Sequence, residues 1–341
     1  MSKHRIAVIG AGMAVKPHVE SLLDLADRVE VAGVYSPTEA RRIAFAERFS
    51  LPTTGDLDAM IADPTIDAAL VLTPPRTHLP LVERLAAAGK HILLEKPIEA
   101  ETARAEAAVI ACERAGVTLA VVFQHRFRPA ARALAATLAS GALGEFASAS
   151  VAVRWWRPQT YYDEPGRGTL ERDGGGVLLT QAIHTLDLFL SLAPQVAEVA
   201  AFAGTSAVHR METEDTVAGA LRFANGALGA LDATTASYPG FPERIEIVGT
   251  RGTALLVASK LDLHYADGRR ESGGELAATG GGADPMAFAH DAHCAVLTEF
   301  LDALDARRAP VNSGRAALKV HYLIDALLES SRRRVPVAVR R

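Results

Sequence analysis

Cysteine is nearly absent from this chain: Cys112 and Cys294 are the only two in 341 residues, and they lie far apart. Two distant thiols make neither a disulfide framework nor a thiolate metal site, and they fit a protein kept reduced in the cytoplasm. An excess of basic charge is absent too. With 36 Lys and Arg against 40 Asp and Glu the formal net charge is −4, which leaves no electrostatic footprint for nucleic acid. No apolar run is read as approaching the ~20 residues that span a bilayer. Met1-Ser2-Lys3-His4-Arg5 runs straight into a strand-like segment, without the pattern of a signal peptide. Internal repeats are lacking as well. What remains is a chain with 49% hydrophobic and 22% charged residues, ordinary for a globular protein and long enough for two domains with real cores.

Arg5-Ile6-Ala7-Val8-Ile9 is a short β-branched run, followed at once by Gly10-Ala11-Gly12-Met13-Ala14-Val15 and a helical stretch through Leu25. Strand, glycine turn and helix in that order make a dinucleotide site: Gly10 permits the tight turn, Gly12 lets backbone approach a pyrophosphate, and the helix N-terminus suits its charge. Gly10, Gly12, Met13 and Ala14 are the residues placed against it. Val15 stands where a third Gly or Ala is usual. A second strand, Val29–Tyr35, follows at βαβ spacing. Its end reports cofactor choice. Ser36 occupies the place of the acid that would accept from a ribose 2′-hydroxyl, and Arg41 and Arg42 follow. Serine does not repel a 2′-phosphate and arginine can pair with one, so NADP is favoured slightly over NAD. The opposing reading makes the arginines a solvated helix face and gives the hydroxyl to Glu39.

Helices are expected over Pro37–Phe49, Asp56–Ala62, Leu79–Ala88 and Glu99–Ala115, and strands over Ile66–Leu72, His91–Leu94 and Val117–Phe123. The alternation predicts a parallel, doubly wound sheet. Thr73-Pro74-Pro75, with His78 beyond, stiffens a loop at one strand end as a wall of the cofactor cleft. The strand His91–Leu94 ends in Glu95-Lys96-Pro97. A Glu-Lys pair is ordinarily a solvated ion pair. At the carboxyl end of a strand in such a sheet it sits where ligands bind.

Gly10-x-Gly12, Thr73-Pro74 with His78, and Gly89-Lys90-His91 leading to Glu95-Lys96-Pro97 resemble the Gfo/Idh/MocA oxidoreductases over nearly the whole chain. The resemblance implies an N-terminal Rossmann domain, drawn at residues 1–123, and a C-terminal α+β substrate and oligomerisation domain, drawn at 124–341, with the last helix able to pack back on the first. It implies a cis bond before Pro97. It also implies a largely antiparallel open sheet whose free face builds a homodimer or homotetramer.

The second domain opens at Gln124-His125-Arg126-Phe127-Arg128 with a helix Pro129–Ser140, a strand Phe146–Trp156 and a loop Arg157–Gly168. Asp173-Gly174-Gly175-Gly176 then launches a nearly all-apolar helix, Val177–Leu192, with Thr180, His184, Asp187 and Ser191 on one face. A lone His in such a helix is more often a satisfied core residue. The resemblance turns this one into the acid/base that works beside the motif lysine. The aspartate that often stands four residues earlier is here Thr180, which can orient a hydroxyl but cannot stabilise an imidazolium by charge; Asp187 is the alternative partner, or a packing contact. Strands are read from Val196 to Ala236 and over Ile245–Val248 and Ala254–Val257, a mobile loop over Glu271–Asp284, helices over Cys294–Ala306 and Arg315–Ser330, and a last strand over Val335–Val339. His290, Asp291 and His293 invite a metal, but without a third ligand at fitting spacing they read as a helix start, and no metal site is expected.

The chemistry that follows is hydride transfer between nicotinamide and a secondary hydroxyl of a sugar, polyol or sugar derivative. His184 serves as base. Lys96 holds the same oxygen, and Glu95 positions Lys96 or the nicotinamide ribose. Arg126, Arg154, Tyr162, Arg167, Thr180 and Gln181 are the substrate candidates, the arginines suiting a carboxylate or phosphate. Two other functions share these residues: a non-catalytic NADP-binding regulator, which the missing acid at Thr180 favours, and a glycosidase that oxidises transiently with tightly held dinucleotide.

Overall fold

A computed structural model describes residues 3–12, 14–276 and 289–340. The chain divides into two compact units, Met1–Gln124 with Ala289–Leu318, and His125–Phe288 with Lys319–Arg341. The expected division at 123/124 gave residues 124–341 to the second domain, with only the last helix able to pack back on the first. The returning segment is longer and contains the penultimate helix.

In the first unit, strands β1 (His4–Ile9), β2 (Val29–Tyr35), β3 (Thr53–Thr54), β4 (Ala68–Val71), β5 (His91–Leu94) and β6 (Leu119–Val121) form one sheet in the order β3-β2-β1-β4-β5-β6, with every pair parallel. Helices α1 (Val15–Asp24), α2 (Glu39–Phe49), α3 (Leu57–Ala62), α4 (His78–Ala87) and α5 (Thr102–Ala115) connect them. Ile6, Ala7, Val8 and Ile9 are all at most 1% exposed. Helices cover both faces of a parallel sheet, so its strands read as continuous apolar runs. The strand order reverses between β1 and β4. Their carboxyl ends therefore bound the crevice where open α/β sheets take ligands.

The second unit is built on a nine-stranded sheet. Strands β7 (Phe146–Arg154), β8 (Val196–Gly204), β9 (Thr216–Phe223), β10 (Leu228–Thr234), β11 (Arg244–Gly249), β12 (Gly252–Val257), β13 (Lys260–Tyr265), β14 (Arg270–Gly273) and β15 (Val337–Ala338) lie in the order β14-β13-β12-β11-β7-β10-β9-β8-β15. Only β7 with β10 is parallel. Ala149, Val151 and Val153 of β7 point into the core while Arg154 is exposed, the period-two alternation of a sheet with one buried face. Helices α6 (Pro129–Ala139), α7 (Gln159–Tyr162), α8 (Leu170–Asp173) and α9 (Ile183–Leu192) belong to this unit, and α6 and α9 pack on the sheet. Strand β13 and the two-residue β3 were not anticipated. Residues 271–273, expected in a loop, end β14; residues 277–284 of that expected loop lie outside the described residues.

The expected single helix Val177–Leu192 begins with a wide π-type turn, Leu178–Ala182, before α9. The stretch Leu170–Leu192 is long and apolar enough to cross a membrane, contrary to expectation, but 78% of its apolar window is buried inside the protein, as a core helix would be. Helix α10 (Asp291–Asp305) belongs to the first unit and packs on α1. The boundary between units falls within α11 (Gly314–Arg333). Burial pushes the Cys112 thiol of α5 up to about 12, so it is a core residue and not a nucleophile.

Candidate active site

The nucleotide side of the site is set by backbone. Gly10 has φ +115°, and a Cβ there would lie 2.9 Å from the Leu72 carbonyl oxygen, so no other residue fits this crossing of the β1 and β4 ends. At Gly12 a Cβ would meet nothing within 4 Å; the turn is open on the side a pyrophosphate would approach. Helix α1 begins at once with Ala14 as N-cap and no side-chain cap; Val15 donates to the Gly12 carbonyl at 3.2 Å and Pro17 has no N–H, so what the helix end offers an anion is chiefly its dipole. Gly10, Gly12, Ala14, Ser36, Arg41, Thr73 and Pro74 all line one cavity of about 640 Å³, together with Arg84. No carboxylate is among the described residues lining it, while two arginines are. The Gly12 cradle and this donor set fit a dinucleotide. Ser36 is 2% exposed, and its carbonyl accepts from Arg42 at 2.7 Å. Met13 lies outside the described residues.

His78 is the exception on this side. It is fully buried, with Nδ1 3.1 Å from the carbonyls of both Pro97 and Ile98 and Nε2 2.7 Å from that of Thr73. It therefore ties the Thr73 loop to the segment after Lys96, and burial lowers its pKa. It is a strut and not a cofactor contact.

Around Glu95-Lys96-Pro97 the structure adds residues the sequence did not single out. Nε2 of buried His18, on α1, lies 2.8 Å from one Glu95 oxygen. The other accepts from the Lys96 backbone N–H at 2.9 Å. The Lys96–Pro97 bond is cis. Two residues on, buried Glu99 holds Arg104 at 2.6 Å. Both sides of the lysine are thus anchored. His293 of α10 packs edge-on against His18, centroids 5.0 Å apart, so His18, Glu95 and His293 bring ligand-type atoms within 4.8 Å of one another. Two ligands of one tetrahedral zinc stand roughly 3.4 Å apart, from bond lengths near 2.1 Å. The 2.8 Å contact of His18 with Glu95 is a hydrogen bond in length.

Burial alone would raise the Glu95 carboxyl. The His18 hydrogen bond and the charges of His18, Lys96 and His293 outweigh it and hold the group down to about 2. Its folded pKa is therefore below the ordinary value, so its stabilisation is present above that value and is lost as pH falls from 4.5 towards 2. The size is about 3 kcal/mol at one pKa unit per ~1.4 kcal/mol. Glu95→Gln is expected to remove that much of the acid-dependent loss, read from denaturant unfolding at neutral pH and across this window; an unchanged acid limb would count against the network.

On the second unit, the π-type turn delivers His184, 8% exposed, at the start of α9. The turn is anchored by Glu214, whose carbonyl accepts from Val177 at 2.8 Å and whose carboxylate accepts from Leu178 at 3.3 Å. A Cβ on Gly176 would lie 2.0 Å from that Glu214 carbonyl oxygen, which accounts for the last glycine of the run. Burial lifts the Glu214 carboxyl above its ordinary range. The Thr180 hydroxyl turns back to the Gly176 carbonyl at 2.7 Å and also touches the Gln181 side-chain oxygen, so its single proton serves one of the two. Asp187 is 1% exposed and takes Nε and Nη2 of Arg126 in a bidentate pair at 2.5 and 2.6 Å. It is Arg126's partner, which corrects both the reading of Asp187 as the imidazolium's counter-ion and that of Arg126 as an anion receiver.

Three further substrate candidates are also redirected. Arg154 is on the sheet face opposite the buried one and pairs with Asp232, so strand alternation turns it away from the face on which α9 packs. Tyr162 is buried with its hydroxyl on Thr235 at 2.8 Å. Arg167 spends Nε and Nη2 on Glu164 and Nη1 on the Tyr161 hydroxyl, stacked 4.2 Å over that ring. Thr180, Gln181 and His184 remain together on one stretch of helix.

Two family models match the chain. One, described as an oxidoreductase family with an NAD-binding Rossmann fold, takes in residues 4–123, and the other, the GFO/IDH/MocA C-terminal domain, residues 131–255. The inositol 2-dehydrogenase of Rhizobium meliloti (strain 1021) is 27% identical over 98% of this chain and 99% of its own length. The D-apiose dehydrogenase of Paraburkholderia graminis is 28% identical over 96% of this chain and 87% of its own. Among solved structures, the WlbA dehydrogenase of Bordetella pertussis in complex with NADH and UDP-GlcNAcA is similar with a TM-score of 0.85, at 29% identity and covering 100% of both chains.

Proposed function

Because this chain belongs to the Gfo/Idh/MocA oxidoreductase family, we propose that it is a nicotinamide-dependent dehydrogenase acting on a secondary hydroxyl of a sugar, polyol or sugar derivative. The observation that carries the reading is the open Gly10–Gly12 cradle at the β1/β4 switch point, with Glu95-Lys96-Pro97 ending the neighbouring strand β5. Bound nicotinamide supplies the hydride acceptor. Lys96 holds the reacting oxygen by its ammonium and stabilises the negative charge that develops there. His184 takes the hydroxyl proton, imidazole being the side chain suited to act as a base near neutral pH. Glu95 holds the Lys96 backbone N–H and so fixes where the lysine leaves the strand. Thr180 and Gln181 shape the substrate side.

The test is a screen over inositols, neutral sugars, uronic acids and nucleotide sugars with NAD and NADP in parallel, followed at the nicotinamide absorbance band. Substrate-dependent reduction supports the reading. Its absence across the panel favours the cofactor-binding regulator, for which the committed Thr180 hydroxyl is the motivating feature. Turnover in which tightly held dinucleotide is never consumed points to the redox-assisted glycosidase.

NADP is the cofactor we favour, since Ser36, Arg41 and Arg84 line the cavity without a carboxylate. Arg41→Ala is expected to raise KM for NADP about tenfold, the worth of one charge-assisted hydrogen bond, and to leave NAD within about twofold. Equal effects on both cofactors would remove Arg41 from the 2′-phosphate. We also favour a homo-oligomer formed through the open sheet face, where Phe202 is 76% and Leu228 59% exposed; light scattering reads the mass directly. Residence in a reducing compartment such as the cytoplasm suits the two free cysteines.

A further inference from the structure

His125 begins the second unit, and its ring stacks on that of His184 with centroids 5.1 Å apart and planes inclined by 30°. Both are buried. Protonating both would set like charges face to face. The charge of His125 can be read from its partners. Nη2 of Arg128 lies 2.7 Å from His125 Nε2. A guanidinium offers only donors, so Nε2 must present its lone pair. A ring with a lone pair on Nε2 carries its proton on Nδ1, and Nδ1 faces the Thr185 hydroxyl at 3.4 Å. Arg128 is held in turn by the buried carboxylate of Glu243. The neighbouring charges come in pairs: Arg128 with Glu243, and Arg126 with Asp187, to which Lys319 adds attraction.

We infer that Arg128 locks His125 as a neutral ring, and that His125 is a positioning residue for His184. It is an uncharged stacking partner against which His184 can take up a proton without meeting a like charge. Arg128 would otherwise bring its own positive charge close to that proton, and Glu243 offsets it. The role for His184 rests on the function proposed above; the charge state of His125 does not.

The test is ¹⁵N-histidine NMR on the whole wild-type protein, with the His125 signals assigned by their loss in His125→Phe. The expected result is an unprotonated Nε2 and a protonated Nδ1 at every pH from about 5.5 to about 8.5, the range in which a free imidazole titrates. In Arg128→Met with Glu243→Gln, which removes the donor without leaving a buried carboxylate alone, His125 is expected to titrate within that range. A second arm compares the acidic limb of the kcat/KM profile in His125→Phe and wild type. One neutral ring replaces another, so the midpoint is expected to stay within about 0.3 of a pH unit. Were His125 charged in the wild type, its removal would raise the midpoint by about one unit or more. Either that rise, or titration or an Nε2 proton on wild-type His125, overturns the inference. If no dehydrogenase activity is found, the proposed function fails while the wild-type NMR result still decides the charge of His125.

Discussion

Lys96→Met is expected to lower kcat by about 1,000-fold, and His184→Ala by a similar factor, with dinucleotide affinity nearly unchanged in both. A factor of 1,000 is about 4 kcal/mol of transition-state stabilisation, within the range for losing one general acid–base group or one electrostatic stabiliser. Binding is expected to survive because the cavity lined by Gly10, Gly12, Ser36 and Arg41 includes neither residue. Folding is expected to survive at Lys96 because its segment is anchored on both sides, by the Glu95 contact to its backbone N–H and by the His78 contacts to the Pro97 and Ile98 carbonyls. Methionine keeps the length of the side chain and removes the ammonium. His184 is buried, so its alanine variant needs a thermal unfolding measurement beside the kinetics. The double variant carries most information. If ammonium and imidazole serve one oxygen, removing both costs scarcely more than removing either, since residues acting as a unit are not additive. Independent roles would multiply the two losses. Near-normal turnover in both single variants would sink the mechanism.

The parts of this site legible in the sequence are those written locally. The glycine turn after β1, the Glu95-Lys96-Pro97 strand end and the helix bearing His184 each announce themselves within a few residues, because strand and helix periodicity and turn chemistry act at that range. The parts that escaped are contacts between distant residues. His18 and Glu95 are 77 positions apart, and Arg128 and Glu243 are 115 apart; no spacing rule joins such pairs. His18, one turn past the glycines, and His125, beside Arg126, were visible as residues, but their roles depend on what the fold brings against them. Arg154 and Tyr162 show the converse error. Their chemistry suits a substrate, yet strand alternation turns one to the opposite sheet face and a buried Thr235 hydroxyl takes the other. Helix α10 was foreseen as a helix but not as part of the first unit, because its apolar stripe says that it packs and not against what. The π-type turn at Leu178–Ala182 was invisible for a related reason: the segment's composition suits a continuous α-helix, and Glu214, far along the chain, holds the turn through Val177 and Leu178.

Asp187→Leu is expected to destabilise the protein by roughly 3–5 kcal/mol, the usual cost of breaking a buried ion pair from one side, which for a unit of this size lowers Tm by on the order of 10 °C. The leucine removes the carboxylate that accepts from both Nε and Nη2 of Arg126, yet leaves a guanidinium that is only 14% exposed. Burial lifts the Asp187 carboxyl above its ordinary range in spite of Arg126 and Lys319; desolvation thus outweighs attraction at this pair. A pair in that condition contributes little net stability over apolar residues of similar size, and its cost appears only when one half is removed. Asp187→Leu combined with Arg126→Leu is therefore expected to recover most of the lost Tm. The kinetics of the same variants separate two roles for the aspartate. As Arg126's partner, it should leave the acidic limb of the kcat/KM profile in place when replaced by asparagine. As counter-ion to a protonated His184, its removal should move that limb to lower pH, because the imidazolium would lose a stabilising charge. A shifted limb with unchanged Tm would return Asp187 to the proton-handling machinery; a lowered Tm with an unshifted limb leaves it as the anchor that holds Arg126 against α9.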